Sequence, residues 1–337
     1  MQKTQGMNTV AERLKVLFLL SVVTMLLSAC SDHRVDVILD TDANNELDDQ
    51  HAIAYLLMHQ DEAHIIAITT NATFFGGDAM AQAVEAQRVA DLMKPLGERI
   101  EVIPGATANF EDILPNVRNS FYDGQSAVDC IVQAARSHTP KNPLLLVPVG
   151  KLTNIALALT VAPDIIPNVR VVWLGSNYPQ AGEYNLENDM PSVNAVIDTG
   201  VDFTMAIVSS SEGMTGTCEV NMTHRDMVKR VAGKGMRVAP VEGRAGGFFT
   251  CVGDYLLNLF EQCSTDDNYT RSLFDMACVA TALHPEYAEM REIPAPLLEG
   301  KEWKECPENS RTIKLLCNFN REVILDDFVS HLDELAK

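Results

Sequence analysis

From Val35 onward the chain alternates short apolar runs with longer stretches in which apolar residues recur at helical spacing. The short runs are Val35 to Leu39, Ile65 to Thr69, Ile100 to Ile103, Leu144 to Val147, Val169 to Leu174, Phe203 to Val208 and Ile313 to Leu316. They have the length and the aliphatic content of strands buried on both faces, whereas Met80 to Met93, Ala127 to Ala135 and Ile155 to Leu159 carry the spacing of helices. Such alternation predicts an α/β fold, a single domain around a mostly parallel, doubly wound sheet. In that topology the loops leaving the C-terminal strand ends gather along one edge, which is where a site is expected. One stretch breaks the rhythm. Residues 209–250 contain Ser209-Ser210-Ser211-Glu212-Gly213 and Gly243-Arg244-Ala245-Gly246-Gly247, and read as loops around a helix at Asp226 to Ala232, a candidate lid.

The first thirty residues follow a different logic. Arg13 and Lys15 precede an apolar run, Val16 to Leu27, that is short for a bilayer span and right for the core of a signal peptide. It ends Leu27-Ser28-Ala29-Cys30, which resembles a bacterial lipobox, so Cys30 is the expected lipidated residue. The alternative is an ordinary secretory signal cut nearby. The organisation expected is a lipoprotein signal peptide over 1–29, a short tether over 30–34 and the catalytic-type domain over 35–337. Ser31 after the cysteine favours outer-membrane sorting if the source is Gram-negative. The expected localisation is therefore the bacterial cell envelope, on the membrane through a lipid anchor.

Composition narrows the partners. With 337 residues, 47% hydrophobic, the chain can bury a large core, and a net charge of −20 excludes the basic face that nucleic acids require. Small, weakly charged substrates are unaffected by that charge. Of eight cysteines, seven remain after Cys30, with no Cys-x-x-Cys among them, which argues against zinc and against a tidy disulfide framework. Cys218, Cys251, Cys263 and Cys306 lie in polar stretches where exported thiols could pair; Cys130 and Cys278 sit in apolar helical patterns and read as core.

Candidate chemistry concentrates where the first strand ends. Asp40-Thr41-Asp42-Ala43-Asn44-Asn45-Glu46-Leu47-Asp48-Asp49 brings four aspartates and a glutamate together before a probable helix, Ala52 to Met58. Carboxylates so crowded raise one another's pKa unless a cation sits among them, and an all-oxygen donor set suits Ca²⁺ or Mg²⁺. Helix N-capping by a solvated loop is the plain alternative. An EF-hand fails, because its sixth position here is Asn45, its twelfth is His51, and a strand precedes it. An aspartyl-phosphate chemistry at Asp40 lacks any Gly- and Lys-rich phosphate cradle. Further polar strand ends follow: Leu152-Thr153-Asn154 after the fourth run, Asn177 and Glu183-Tyr184-Asn185 after the fifth, and Asp275 in an apolar context.

These separated motifs, in this order, resemble the nucleoside hydrolase family of the inosine/uridine-preferring type from about Val35 to the C-terminal region. The family's Asp-x-Asp and paired Asp-Asp correspond to Asp40, Asp42, Asp48 and Asp49, and its Leu-Thr-Asn-Ile-Ala signature stands unchanged at 152–156. The resemblance implies a Ca²⁺ cofactor held by Asp42, Asp49, the backbone carbonyl of Thr153 and Asp275, with Asp42 as the catalytic base. It implies sugar contacts from Asp48, Asn177, Glu183 and Asn185, and an orienting role behind the ligands for Asp40. The implied function is calcium-dependent hydrolysis of the N-glycosidic bond of ribonucleosides, releasing base and ribose. A non-catalytic nucleoside- or sugar-binding envelope lipoprotein, and a hydrolase of another ribosyl conjugate, are the alternatives. The partner is a small-molecule nucleoside, and a homo-oligomer is compatible with the sequence.

Three departures from the family pattern bear on the base side. Ala43 to Leu47 replaces a shorter Pro-Gly turn and could bring Asn44, Asn45 or Glu46 to the substrate. Phe274 stands where many members have a histidine that helps the departing base. The segment from Thr69 to Asp78 is longer than the family's Gly-Asn turn, and Asn71 or Asp78 would replace its Asn. His51, His59 and His284 read as surface or packing residues, and Tyr122, Tyr178 and Tyr184 as packing aromatics that could also stack on a base.

Overall fold

The structure, a computed structural model, describes residues 34–94 and 99–336. The expected signal segment and Cys30 lie outside them. From Val35 the chain forms one compact unit. Its centre is an eight-stranded sheet: β1 (Val35–Thr41), β2 (Ala63–Thr70), β3 (Val102–Pro104), β4 (Leu144–Pro148), β5 (Val169–Ser176), β6 (Asp202–Ile207), β7 (Glu289–Pro294) and β8 (Thr312–Cys317). The spatial order is β7-β8-β6-β5-β4-β1-β2-β3, with every neighbouring pair parallel except β7 and β8. All seven predicted strands are present. β7 was not among them, because Glu289-Met290-Arg291-Glu292-Ile293-Pro294 is charged and largely exposed, as suits an antiparallel edge strand that needs only one covered neighbour.

Strand alternation divides the core into two. Val37 and Leu39 of β1 face one cluster and Ile38 the other. Helices α1 (Asp48–Met58), α2 (Ala79–Leu92), α7 (Val252–Cys263), α8 (Phe274–Leu283) and α9 (Arg321–Leu335) cover the first face; α3 (Gln125–Arg136), α4 (Thr153–Val161) and α6 (Met190–Thr199) cover the second. A single-turn helix, α5 (Tyr184–Asn188), follows β5. Every residue of α1 is buried, so it carries no polar outer face and packs lengthwise along α8. That pairing sets the N-terminal acids of α1 beside Asp275, the second residue of α8.

The order of strands turns at β1, which has β2 on one side and β4 on the other, so the crossovers diverge there and open a crevice at their C-terminal ends. The expected helix in the 209–250 stretch is observed as His224–Arg230, started by a capping box between Thr223 and Asp226. The Arg244 turn reaches the crevice rim, where Arg244 Nη1 donates to Glu46 O at 3.0 Å. All seven cysteines from Cys130 to Cys317 are free thiols. Cys251, expected in a polar setting, is instead buried beneath the start of α7.

Candidate active site

The crevice is a cleft of about 380 Å³ whose walls carry Asp42, Asp48, Asp49 and Asp275 on one side and Asn177, Glu183, Tyr184 and Asn185 on the other. Seven of those eight residues belong to the set expected from the motifs. Each is positioned by backbone geometry. Asp42 follows β1 directly and its carbonyl accepts from Asn45 N at 3.0 Å, which folds the inserted turn back over it. Asp48 and Asp49 open α1, and Thr41 Oγ1 donates to Asp49 Oδ1 at 2.5 Å. Carboxylate oxygens of Asp48, Asp49 and Asp275 lie within 4.8 Å of one another, close enough to share one cation. Asp42 stands outside that trio and faces the same space.

Behind the cleft, Asp40 is fully buried and receives three donors: Thr69 Oγ1 at 2.6 Å, Asn154 Nδ2 at 2.7 Å and Asn71 Nδ2 at 2.9 Å. These ties join β1, β2 and α4 around one carboxylate. Asn154 also accepts from Ala106 N at 2.9 Å, so the Asn of the Leu-Thr-Asn-Ile-Ala signature knits three loops together. Gly150 lets β4 approach: a Cβ there would lie 2.9 Å from both Asp42 Oδ1 and the Asn71 amide. Replacing Asn154 by alanine strips a buried carboxylate of one donor and Ala106 of its acceptor. The expected cost is about 2–3 kcal/mol of stability with wild-type packing elsewhere, read from denaturant midpoints at unchanged slope.

The sugar-side residues are held with their functional atoms committed on one side only. Glu183 caps α5, accepting from Leu186 N at 3.0 Å. Asn185 spends its Nδ2 on Val149 O (2.8 Å) and Leu174 O (3.1 Å), which leaves Oδ1 as an acceptor toward the cleft. Asn177 accepts from Ser209 N through Oδ1 at 3.1 Å, which leaves its amide N–H groups as donors. Thr153 does not line the cleft: it opens α4 fully buried, and its hydroxyl is spent on Asp189, so its remaining offer is the backbone carbonyl.

Electrostatics test whether this cleft fits a cation. Burial, with neighbouring carboxylates adding to it, pushes Asp42 up to about 7 and Asp48 up to about 8, and raises Asp49 and Asp275 well above the ordinary carboxylate range. Burial likewise lifts Glu183 to about 7. Among the described residues no lysine or arginine forms an ion pair with Asp42, Asp48, Asp49 or Asp275. Arg271 is tied to Glu46, and the buried Lys151 ammonium is held by Thr107 O, Ala108 O and Asn109 Oδ1. A dense, oxygen-only, uncompensated donor set is what a hard divalent ion satisfies.

Several residues escaped sequence reasoning. Lys151 and Asp189 support the floor of the site from buried positions, with Asp189 accepting from Phe110 N at 2.8 Å; neither carries a local signal beyond its polarity. Asn45 and Glu46 of the inserted turn do line the cleft, whereas Asn44 turns away to Gly76 O at 2.8 Å. Of the two candidates on the long loop, Asn71 donates to Asp40 behind the cleft, whereas Asp78 caps α2. Tyr184 reaches the cleft, while Tyr178 packs on Trp303 and Tyr122 lies in the core. His51 and His59 are fully buried, not at the surface.

A nucleoside-sized pocket at the switch point of a doubly wound sheet, walled by carboxylates and amides, places the chain among hydrolases that act on N-glycosyl compounds. Residues 37–316 match the family described as inosine-uridine preferring nucleoside hydrolase, and the chain belongs to that family. It is 26% identical to the inosine-uridine preferring nucleoside hydrolase of Leishmania major, over 77% of this chain and 82% of that protein. It is 27% identical to the enzyme of the same description from Crithidia fasciculata, over 79% and 84%. Among solved structures it superposes on an inosine-guanosine nucleoside hydrolase with TM-score 0.66 at 17% identity, covering 89% of this chain and 99% of the other. That last likeness speaks for the fold alone.

Proposed function

We propose that the protein is a calcium-dependent ribonucleoside hydrolase that acts at the cell envelope. The observation that carries the reading is the buried trio Asp48, Asp49 and Asp275, with Asp42 facing the same space and, among the described residues, no lysine or arginine in an ion pair with any of them. Asp42, Asp49, Asp275 and the Thr153 carbonyl would hold the ion; Asp48, Asn177, Glu183 and Asn185 would hold the ribose hydroxyls. When bound, Ca²⁺ supplies a fixed anchor for the sugar diol and a water of lowered pKa. Asp42 would accept the proton of the water that attacks C1′, the C1′–N bond breaking with its electron pair on the base, which takes up a proton from solvent. Positive charge grows on the ribose ring in the transition state, and the surrounding carboxylates stabilise it more than they stabilise the neutral nucleoside. Phe274, at the mouth, offers no proton, so the base departs without an acid from that position.

The base side is bounded by aromatic rings. Phe75, on the long 71–78 loop, is 85% exposed and lines the cleft, its ring centroid 6.1 Å from that of Tyr184 at an interplanar angle of 19°. Tyr184 is in turn fixed by Thr73 Oγ1 at 2.7 Å. A planar base slid against these near-parallel faces gains stacking without hydrogen-bond specificity. Phe75→Ala is expected to raise KM about tenfold, a stacking contribution of about 1–3 kcal/mol, while kcat falls less, and Phe75→Trp to restore it. Equal losses in kcat and kcat/KM would show that Phe75 acts elsewhere in the cycle.

Release of free ribose from a panel of purine and pyrimidine nucleosides, with Ca²⁺ and with chelator, tests the activity. Ribose that appears only with metal supports the reading and shows which base leaves; tight nucleoside binding without turnover would make the protein a binder. For the envelope location the support is the residue pattern ending at Cys30. Labelling of the cell-expressed chain by a fatty-acid analogue, lost in Cys30→Ser, is the expected result.

A further inference from the structure

A second cluster of ligand-type side chains sits at the far end of α1, one helix length of about 16 Å from the acidic cleft. His59 ends that helix fully buried. Its Nδ1 lies 2.7 Å from Tyr55 O, which fixes the proton on that nitrogen and turns the Nε2 lone pair outward, 3.2 Å from Asp327 Oδ2. Asp327 and His331 stand one turn apart on α9, so both project from the same helix face. His331 Nδ1 is 3.2 Å from Asp327 Oδ1, and its ring centroid is 4.0 Å from that of His59. One donor atom from each of the three lies within 4.8 Å of the others.

His284 borders the cluster without joining it. The His284 ring is 5.7 Å from that of His59, and its Nε2 is buried with no hydrogen-bond partner, although Glu62 Oε2 stands 3.3 Å away. A buried imidazole nitrogen in that condition lacks the partner that buried polar atoms ordinarily have. Tyr55, whose hydroxyl donates to Asp327, orients the carboxylate from behind, as outer partners of metal ligands do.

We propose that His59, Asp327 and His331 form a second divalent-metal site, with a water completing the coordination, selective for a borderline ion such as Zn²⁺ or Co²⁺. Mixed imidazole and carboxylate donors suit those ions, whereas the oxygen-only cleft suits a hard one, so the two sites differ in chemistry as well as place. The site ties α1 and α9 together at the end of α1 away from the cleft, three protein donors and a water making a four-coordinate ion.

The test is equilibrium dialysis of the purified chain against Zn²⁺ with Ca²⁺ in large excess, which fills the acidic cleft, followed by metal analysis and by replacement with Co²⁺ for visible spectroscopy. The expected result is one retained Zn²⁺ per chain and a Co²⁺ spectrum with the intensity of four-coordinate nitrogen and oxygen ligation. His331→Ala, at the partly exposed edge of the cluster, is expected to weaken Zn²⁺ retention about tenfold or more while the protein keeps its fold by circular dichroism. His59→Ala is the second variant and is expected to weaken retention likewise, whereas His284→Ala, outside the donor set, is expected to keep it. No retained Zn²⁺ in the wild type, or Zn²⁺ that is lost in Asp275→Asn and kept in both His331→Ala and His59→Ala, overturns the proposal.

Discussion

Asp42→Asn is expected to lower kcat for ribose release by about 10²–10⁴, the range that a positioned general base contributes. At about 1.36 kcal/mol per factor of ten this is roughly 3–5 kcal/mol of barrier. Asparagine preserves the volume of a side chain packed so tightly that Gly150 could not carry a Cβ beside it, so the change removes charge and basicity without opening a void. With Ca²⁺ saturating, so that the weakened metal site stays filled, the loss should appear mainly in kcat, because the sugar contacts proposed for Asp48, Asn177, Glu183 and Asn185 remain. A kcat within tenfold of wild type would remove Asp42 from the role of base.

The contrast between the two walls of the cleft explains what the sequence could reveal. Asp42, Asp48 and Asp49 are consecutive with the end of β1, and Asn177, Glu183 and Asn185 with the end of β5, so topology alone brings them to one edge. Strands buried on both faces announce themselves by unbroken aliphatic runs; β7, charged and at the sheet edge, does not. The same limit hid Lys151 and Asp189, whose importance lies in hydrogen bonds to loops far away in sequence. The base wall was the least legible part, since an exposed Phe75 acquires meaning only through the distance and angle it keeps to Tyr184. His59 proves to be a packing residue, one of the two expected readings, but a single histidine on an apolar helix says nothing of Asp327 and His331, more than 250 residues later, which its position on α1 brings into contact.

The acidic cleft also has a thermodynamic consequence. Asp42, Asp48, Asp49 and Asp275 each carry a folded-state pKa above the unfolded value of 3.8, so the metal-free fold binds protons more tightly than the unfolded chain does. Stability contributed in this way is fully present below the unfolded pKa and is lost as pH rises through the folded values, about 7 for Asp42 and about 8 for Asp48. In chelator the melting temperature should therefore fall as pH climbs through that window. Added Ca²⁺ should reverse the fall, contributing about 2.7 kcal/mol at a concentration one hundred times its Kd and thus several degrees. Asp275→Asn separates charge repulsion from metal binding, because it removes one buried carboxylate and one ligand together. Its metal-free form is expected to melt above the metal-free wild type at pH near 8, and to show almost no rise with Ca²⁺, with ribose release lost. A variant that melts below wild type in chelator while keeping the full Ca²⁺-induced rise would mean that Asp275 neither crowds its neighbours nor holds the ion.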